Sequence, residues 1–396
     1  MHILNPITSV EQIVSERNEK LIIMKQKDFE EYIRQVEPSA KDSAEAWRTA
    51  IGLQEVDGLT PSSYLLETAK RNIAGDITID EVRELLDSYY NSKTIRTEAD
   101  DKEEEADKAS ANIKKILSSR TLAFSTNGLV SIHRRIFEGV FKHAGEIRKY
   151  NISKKEWVLR GDSVVYLNWE DLRSALDFDI QQEREFDYMG LTEEQKIKHI
   201  CSFVSGLWQI HPFCEGNTRT TAVFTIQYLR SIGYNIDNEM FAQYSWYFRN
   251  ALVRANYKNS QQGINYDLSF LEKFFQNLLL GTNHELSNRY LVIGAPKCWI
   301  QKNDTQEAEN DTQETKNDTQ CRFSDGIAPQ KGELEEWIEY QIKKDPKIST
   351  GKLAELAKVS VSTIKRRISK HGGIKFVGSG FSGHWEIEDS LLSDKN

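Results

Sequence analysis

Cysteine is scarce in this chain, with four among 396 residues. Cys201, Cys214, Cys298 and Cys321 are widely spaced, and none belongs to a paired CxxC. That spacing excludes the common structural zinc patterns, and so few thiols in so long a chain argue against a disulfide framework. A reducing cytoplasm is the expected setting. Proline is also sparse, at seven residues, so long stretches lack the residue that breaks helices. No apolar run approaches the roughly 20 residues needed to span a membrane. The opening stretch MHILNPITSVEQIVSERNEK carries Glu11 and Glu16 and no apolar core of signal length, so no secretory signal is expected. Basic charge is the minority: 52 Lys and Arg stand against 60 Asp and Glu, for a net charge of −8. A chain of that sign is not expected to coat nucleic acid or acidic membrane as a whole, which leaves room only for local basic patches.

What is present is apolar spacing at three and four residues over most of the length, so the expected class is mainly α. Residues 9 to 56 read as helical, and 59 to 90 as helix, Gly-Asp turn, helix, with Thr78 as N-cap and Glu81 three residues later. The charge run at 97 to 110 reads as a solvated helix face or loop. Residues 129 to 141 form an amphipathic helix. In 149 to 167, Arg160-Gly161-Asp162-Ser163 supplies turn chemistry between two β-prone runs, the pattern of a hairpin. Helices resume near 170 and continue to about 290. Residues 303 to 323 then repeat Asn-Asp-Thr-Gln three times at a period of seven. The repeat has no apolar residue to build a coiled-coil seam, so it reads as a disordered polar linker. Residues 332 to 389 read as helix, helix, turn, helix and two short strands, the order of a winged helix.

Residues 211 to 219, HPFCEGNTR, concentrate the chemistry. Pro212 makes an extended His211 the expected conformation. A helix is expected to begin near Asn217, so Gly216 and Asn217 form a tight loop that feeds a helix N-terminus, a ready anion site. Arg219 adds a planar cation suited to phosphate. Glu215 is an oxygen ligand suited to Mg²⁺ bridging two phosphates. His211 is the natural general base for a hydroxyl attacking phosphorus. Together they describe phosphoryl-type transfer by positioning and charge neutralisation.

This stretch resembles the signature of Fic domains, His-Pro-Phe-x-Asp/Glu-Gly-Asn-Gly-Arg-x-x-Arg. The resemblance extends over roughly residues 120 to 260. Residues 132 to 152 resemble the Fic segment ahead of a β-hairpin flap, and KKEWVLRGDSVVYL resembles the flap that aligns the modified segment of a target. It implies a Fic-type helical domain with a hairpin flap, and transfer of AMP from ATP to a protein hydroxyl. It assigns His211 as base, Glu215 as the Mg²⁺ ligand, Gly216, Asn217 and Thr218 to the phosphate loop, and Arg219 to the β-phosphate. Phe213 would anchor the loop in the core. Two positions depart from the signature: Thr218 stands for the second Gly, and Ala222 for the final Arg that handles the γ-phosphate.

Residues 46 to 90 resemble a small antitoxin module that inhibits some Fic proteins through Ser/Thr-x-x-x-Glu-Gly. Here the stretch is LQEVDG, so Leu53 and Asp57 replace Ser/Thr and the inhibitory Glu. With Asp57 on one side and Ala222 on the other, the standard inhibitory ion pair is expected to be absent, leaving the module as a packing element. His133 and His143 read as structural, and the aromatic stretch at 241 to 257 as mostly core. In the C-terminal unit, Lys365, Arg366, Arg367 and Lys370 lie on the candidate recognition helix, although 11 Lys/Arg stand against only 10 Asp/Glu over 333 to 396.

The expected organisation is an N-terminal helical region over 1–110, a Fic domain over 111–295, a linker over 296–331 and a winged helix over 332–396. The expected activity is a cytoplasmic, bacterial protein adenylyltransferase that uses Mg²⁺ and ATP. The alternatives are a Fic enzyme with another nucleotide-derived donor, or a DNA-binding regulator whose Fic domain senses a nucleotide. The candidate partners are a nucleotide, a target protein, DNA and a second copy of the chain, with no membrane.

Overall fold

The computed structural model describes residues 24–294 apart from 25, 120, 237 and 238, and residues 334–371 apart from 347, with 374–377 and 384–387. The Asn-Asp-Thr-Gln repeats and the first part of the helical stretch expected over 9–56 lie outside the described residues. The chain divides into two compact units, Met1–Ile293 and Gly294–Asn396.

Side chains cap three of the early helices of the first unit. Helix α1 spans Lys41–Gly52 and runs into a 3-10 turn over Leu53–Asp57. Helix α2 (Ser63–Ala74) is capped by Ser62, whose hydroxyl accepts from the Leu65 amide, and ends at Gly75 with φ 82°. Thr78 and Glu81 make the expected capping box of α3 (Ile79–Ser92), and Thr97 with Asp100 makes another for α4 (Glu98–Leu117). Each box satisfies two backbone donors that the first turn leaves without a helical partner. Trp47, Leu65, Leu66, Val82, Leu86 and Tyr90 form the core these helices share.

The charge run at 97–110 is thus a helix, and only part of it faces water. Glu98 and Lys102 are exposed, whereas Asp107 is fully buried. Asp107 accepts from the Ser62 amide at 2.8 Å, the Ser62 hydroxyl at 2.6 Å and the Tyr90 hydroxyl at 2.7 Å. Burial outweighs these bonds and pushes its carboxyl up to about 7.

Helix α5 (Thr126–Phe137) leads into the 149–167 segment. The expected hairpin appears there as a reversal without a strand ladder. Arg160 and Gly161 turn the chain at φ 52° and 88°. One backbone rung, Glu156 N–H to Asp162 O at 2.9 Å, is followed by a side-chain rung from the Lys154 amide to Ser163 Oγ at 3.3 Å. A 3-10 turn over Trp157–Leu159 takes up the residues that a second strand pair would need.

Helices α6 (Leu172–Glu185), α7 (Glu193–Ile210), α8 (Asn217–Ser231), α9 (Glu239–Gln243), α10 (Ser245–Ala255) and α11 (Ser269–Leu280) complete the unit. Every residue of α8 from Asn217 to Leu229 is buried. It is the central helix, enclosed on all sides, which suits a sequence without one apolar stripe. The aromatic stretch at 241–257 is core as expected: Phe241, Phe248 and Phe274 meet with ring centroids 5.1 Å apart.

The second unit holds α12 (Leu334–Lys344), α13 (Thr350–Ala357), α14 (Val361–His371) and two strands, β1 (Ile374–Val377) and β2 (His384–Ile387). The strands pair antiparallel, with Ile374 opposite Ile387 and Val377 opposite His384. Trp337, Ile338, Ile342, Leu353, Ile364 and Ile368 form its core. Lys358 ends α13 in the left-handed conformation at φ 54°, and Ser360 leads into α14 after a short turn.

Candidate active site

Helix α7 stops at Ile210, and the chain crosses to the start of α8 in six residues, 211 to 216. The sequence predicts an extended His211 before Pro212, and the structure corrects this. His211 caps α7 in the left-handed conformation, φ 51° and ψ 60°, with its amide bonded to the Trp208 carbonyl. The arginine of the preceding segment holds it there: Arg148 Nε donates to the His211 carbonyl at 2.8 Å. The same guanidinium donates to the carbonyls of Tyr150 at 2.5 Å, Leu167 at 2.6 Å and Ile210 at 3.4 Å.

The strained backbone aims the ring. His211 Nδ1 lies 3.2 Å from the Trp208 carbonyl. A carbonyl can only accept, so Nδ1 carries the hydrogen and Nε2 keeps its lone pair. Nε2 is buried without a hydrogen-bond partner. The Tyr166 and Trp208 rings wall it in, with centroids 4.2 and 5.2 Å from the imidazole. Burial first, and then the charges of Lys154, Arg148 and Arg249, push its pKa well below the ordinary histidine value. The ring is therefore neutral at physiological pH and can accept a proton.

The loop beyond it is stapled from within. Asn217 Oδ1 accepts from the Phe213 amide at 2.9 Å, and its Nδ2 donates to the Phe213 carbonyl at 2.8 Å. The Phe213 ring stacks on His133 at 3.8 Å. His133 accepts at Nδ1 from the Gly145 amide at 2.8 Å and donates from Nε2 to the Glu215 carbonyl at 3.1 Å. Buried and already bonded on both nitrogens, it is held neutral, its pKa pushed down chiefly by burial to about 4. Its role is structural, and it fixes the carbonyl next to the acidic side chain. Gly216 has φ 73°, and a Cβ there would fall 2.2 Å from the Phe137 ring, so only glycine fits. Thr218 occupies the position of the signature's second Gly. Its hydroxyl accepts from the Trp208 indole at 3.0 Å, which ties α8 to the residue that orients His211.

Glu215 points outward, its side chain 43% exposed, with Lys154 Nζ 3.0 Å from Oε1. It is a hard oxygen donor at the mouth of the loop. Among the described residues no group of three His, Cys, Asp or Glu could hold a metal ion.

Arg219 is not at that mouth. It is fully buried, with Nε 2.7 Å from Asp57 Oδ2 and Nη2 2.6 Å from Glu105 Oε1. Nη1 donates to Gln54 Oε1 at 2.9 Å, and the guanidinium lies 4.7 Å from the Phe137 ring centroid. Asp57 thus meets a signature arginine, but a different one from that expected. Ala222 carries no charge and is itself fully buried, so the standard pair cannot form, and Asp57 pairs with Arg219 instead. Gln54 and Glu105 carry no role in the sequence reading. The run of small residues Ala106, Ala109, Ser110 and Ala111 beside Glu105 was the available signal, since it marks a close-packed helix face.

Residues 123–229 match the Fic/DOC family. Protein adenylyltransferase VbhT of Bartonella schoenbuchensis is 27% identical over 218 residues, which cover 54% of this chain and 43% of that protein. A probable protein adenylyltransferase Fic of Salmonella typhimurium is 26% identical over 151 residues, 38% of this chain and 68% of that one. A solved Fic family structure from Desulfovibrio desulfuricans G20 aligns over 99% of the chain at 12% identity and a TM-score of 0.38. This chain therefore spans less than half the length of the first of these relatives. The stretch that matches the Fic/DOC family takes in every residue from His211 to Ala222.

Proposed function

We propose that this domain transfers AMP from ATP to a Ser, Thr or Tyr hydroxyl of a protein, hydroxyls of its own chain included. The observation that carries this is His211, a buried neutral imidazole whose Nδ1–H is tied to Trp208 and whose Nε2 lone pair is unclaimed. The hydroxyl oxygen attacks the α-phosphorus while its proton passes to Nε2. The bond from phosphorus to the α,β-bridging oxygen breaks, and pyrophosphate leaves. Glu215 would hold Mg²⁺, which neutralises charge on the phosphates. Gly216 and the Asn217 staple shape the turn that delivers the N-terminus of α8, with its inward N–H groups and positive dipole end, to those phosphates. Both relatives named above carry the name protein adenylyltransferase, one of them as probable, which supports the same reaction.

The test is incubation with Mg²⁺ and ATP labelled at the α-phosphate, beside His211→Ala. Label on protein with the wild type and none with the variant is the expected result. No label on either, with the fold intact and candidate targets supplied, would sink AMP transfer. Ala222 favours one alternative, a donor with a diphosphate but no γ-phosphate, and a donor screen in the same assay tests it.

We further propose that residues 46–90 are an antitoxin-like module packed against the domain, and that the second unit is a winged helix that binds duplex DNA. Between Glu355 and Glu386 the chain carries six Lys and Arg and no acid, against a whole-chain charge of −8. Lys365 and Arg366 are exposed on α14, while Arg367 and Lys370 approach Glu335 at 2.9 and 3.7 Å. Salt-dependent retention of duplex DNA by the full chain, weakened in Lys365→Ala/Arg366→Ala, is expected. No binding even at low salt would end the DNA proposal.

A further inference from the structure

Arg148, Arg249 and Lys154 act on His211, and Arg219 sits in the first turn of α8; of these four cations three are committed. Arg148 donates to four backbone carbonyls. Arg219 is enclosed by Asp57, Glu105 and Gln54. Arg249 lies 2.7 Å from Glu156, which is itself 1% exposed and also accepts from Tyr166. The fourth, Lys154, is different. Its side chain is 29% exposed and rests on the outward carboxylate of Glu215.

The chain around Lys154 fixes where that ammonium goes. Residues 153 to 156 alternate exposed, part-buried, exposed and buried, so Lys154 and Glu156 share the inward side of an extended stretch. The Lys154 amide bonds to Ser163 Oγ at 3.3 Å, and Ser153 Oγ donates to the same atom at 3.1 Å. The backbone is thus braced across the reversal, while the four-carbon stem remains free to swing.

Lys154 and Mg²⁺ compete for one carboxylate. Two cations on the same oxygen repel, so binding of the metal by Glu215 sends the ammonium elsewhere. A phosphate oxygen that shared Mg²⁺ with Glu215 would lie within reach of Nζ, which already touches that carboxylate at 3.0 Å. An ammonium is a compact point charge suited to that contact. Half-exposed ion pairs contribute little, so the exchange costs little.

We propose that Lys154 is a nucleotide-positioning residue that yields Glu215 to Mg²⁺ and takes a phosphate oxygen in exchange, supplying from the 149–167 segment the cation that Ala222 does not. The proposal rests on the nucleotide-binding reading of the site and adds a residue outside the 211–222 signature.

The experiment measures ATP binding to the full chain by calorimetry, with wild type, Lys154→Met and Lys154→Arg, first in EDTA and then across a Mg²⁺ titration. At saturating Mg²⁺, where Glu215 has been yielded, Lys154→Met should bind ATP about tenfold more weakly, the loss of one charge-assisted contact, while Lys154→Arg stays near wild type. In the titration, Lys154→Met should need several-fold less Mg²⁺ for half-maximal metal-dependent tightening, because nothing competes for Glu215. These opposite shifts separate the proposal from a structural role, which would weaken both or neither. Wild-type binding with Lys154→Met unchanged in both arms overturns the Lys154 proposal and leaves the nucleotide reading standing. No ATP binding by the wild type in either arm overturns the nucleotide reading and this proposal with it.

Discussion

Replacing Arg219 should destabilise the first unit more than removing either acid that holds it. The guanidinium is fully buried between Asp57 at 2.7 Å and Glu105 at 2.6 Å, whose side chains are 21% and 22% exposed. Arg219→Met keeps the bulk against Phe137 but leaves two carboxylates facing each other with no counter-ion. Breaking a buried pair in this way costs about 3–5 kcal/mol. Asp57→Asn leaves Arg219 matched one to one with Glu105. One charge-assisted contact is worth about 1.5–3 kcal/mol, and partial exposure brings this toward about 1–2 kcal/mol. In a unit of this size about 1 kcal/mol moves Tm by about 2–4 °C. Scanning calorimetry of the full chain should therefore show a loss of about 8–15 °C for Arg219→Met and about 3–6 °C for Asp57→Asn. Adding Asp57→Asn and Glu105→Gln to Arg219→Met should recover stability, since the stranded charges are gone. An Arg219→Met variant no less stable than Asp57→Asn would refute the view of Arg219 as the shared counter-ion of two acids.

Other outcomes follow from the same contacts. Asp57→Asn should change AMP labelling by less than about threefold, because Glu105 and Gln54 still hold Arg219; a manyfold rise would make Asp57 an inhibitory residue rather than a packing one. Gly216→Ala should cost about 2 kcal/mol or more from its positive φ and the Phe137 contact, read as a Tm loss that Phe137→Leu partly relieves. The AMP-transfer rate should stay flat from pH 8 down past the ordinary histidine pKa of about 6.5 and fall only in more acid solution, because the folded-state pKa of the base lies well below that value; a midpoint near 6.5 would place the titrating base elsewhere. Asp107 binds its proton more tightly folded, at about 7 against 3.8 unfolded, so its contribution is greatest below pH 4 and is lost as pH rises toward 7. The loss approaches about 4 kcal/mol at most; Asp107→Asn should flatten that part of a stability–pH curve.

The loop at 211–219 was legible because its chemistry is local: a base, a carboxylate and a turn glycine sit within a few residues of a helix start. The Thr78 cap was legible for the same reason. What escaped the sequence is tertiary. Glu105 lies in a charge run that reads as solvent-facing, and only packing of α4 against the α8 start turns it inward. His211 departs from its pre-proline preference because Arg148, 63 residues away in sequence, seizes its carbonyl. The 149–167 reversal carries hairpin composition, yet a serine side chain and a 3-10 turn stand where a strand ladder would continue, which no propensity encodes.

Arg148 makes one mechanical piece of two parts that the sequence keeps far apart. Its fork clamps the carbonyls on both sides of the 149–167 reversal and the carbonyl of His211 itself. The His211 imidazole and the 149–167 reversal therefore share a hinge and cannot drift independently. On the proposed reaction, a target segment settling on the reversal would pull, through this single guanidinium, on the residue that would meet its hydroxyl. Alignment of target and base would then be transmitted as leverage rather than found by separate adjustment of each.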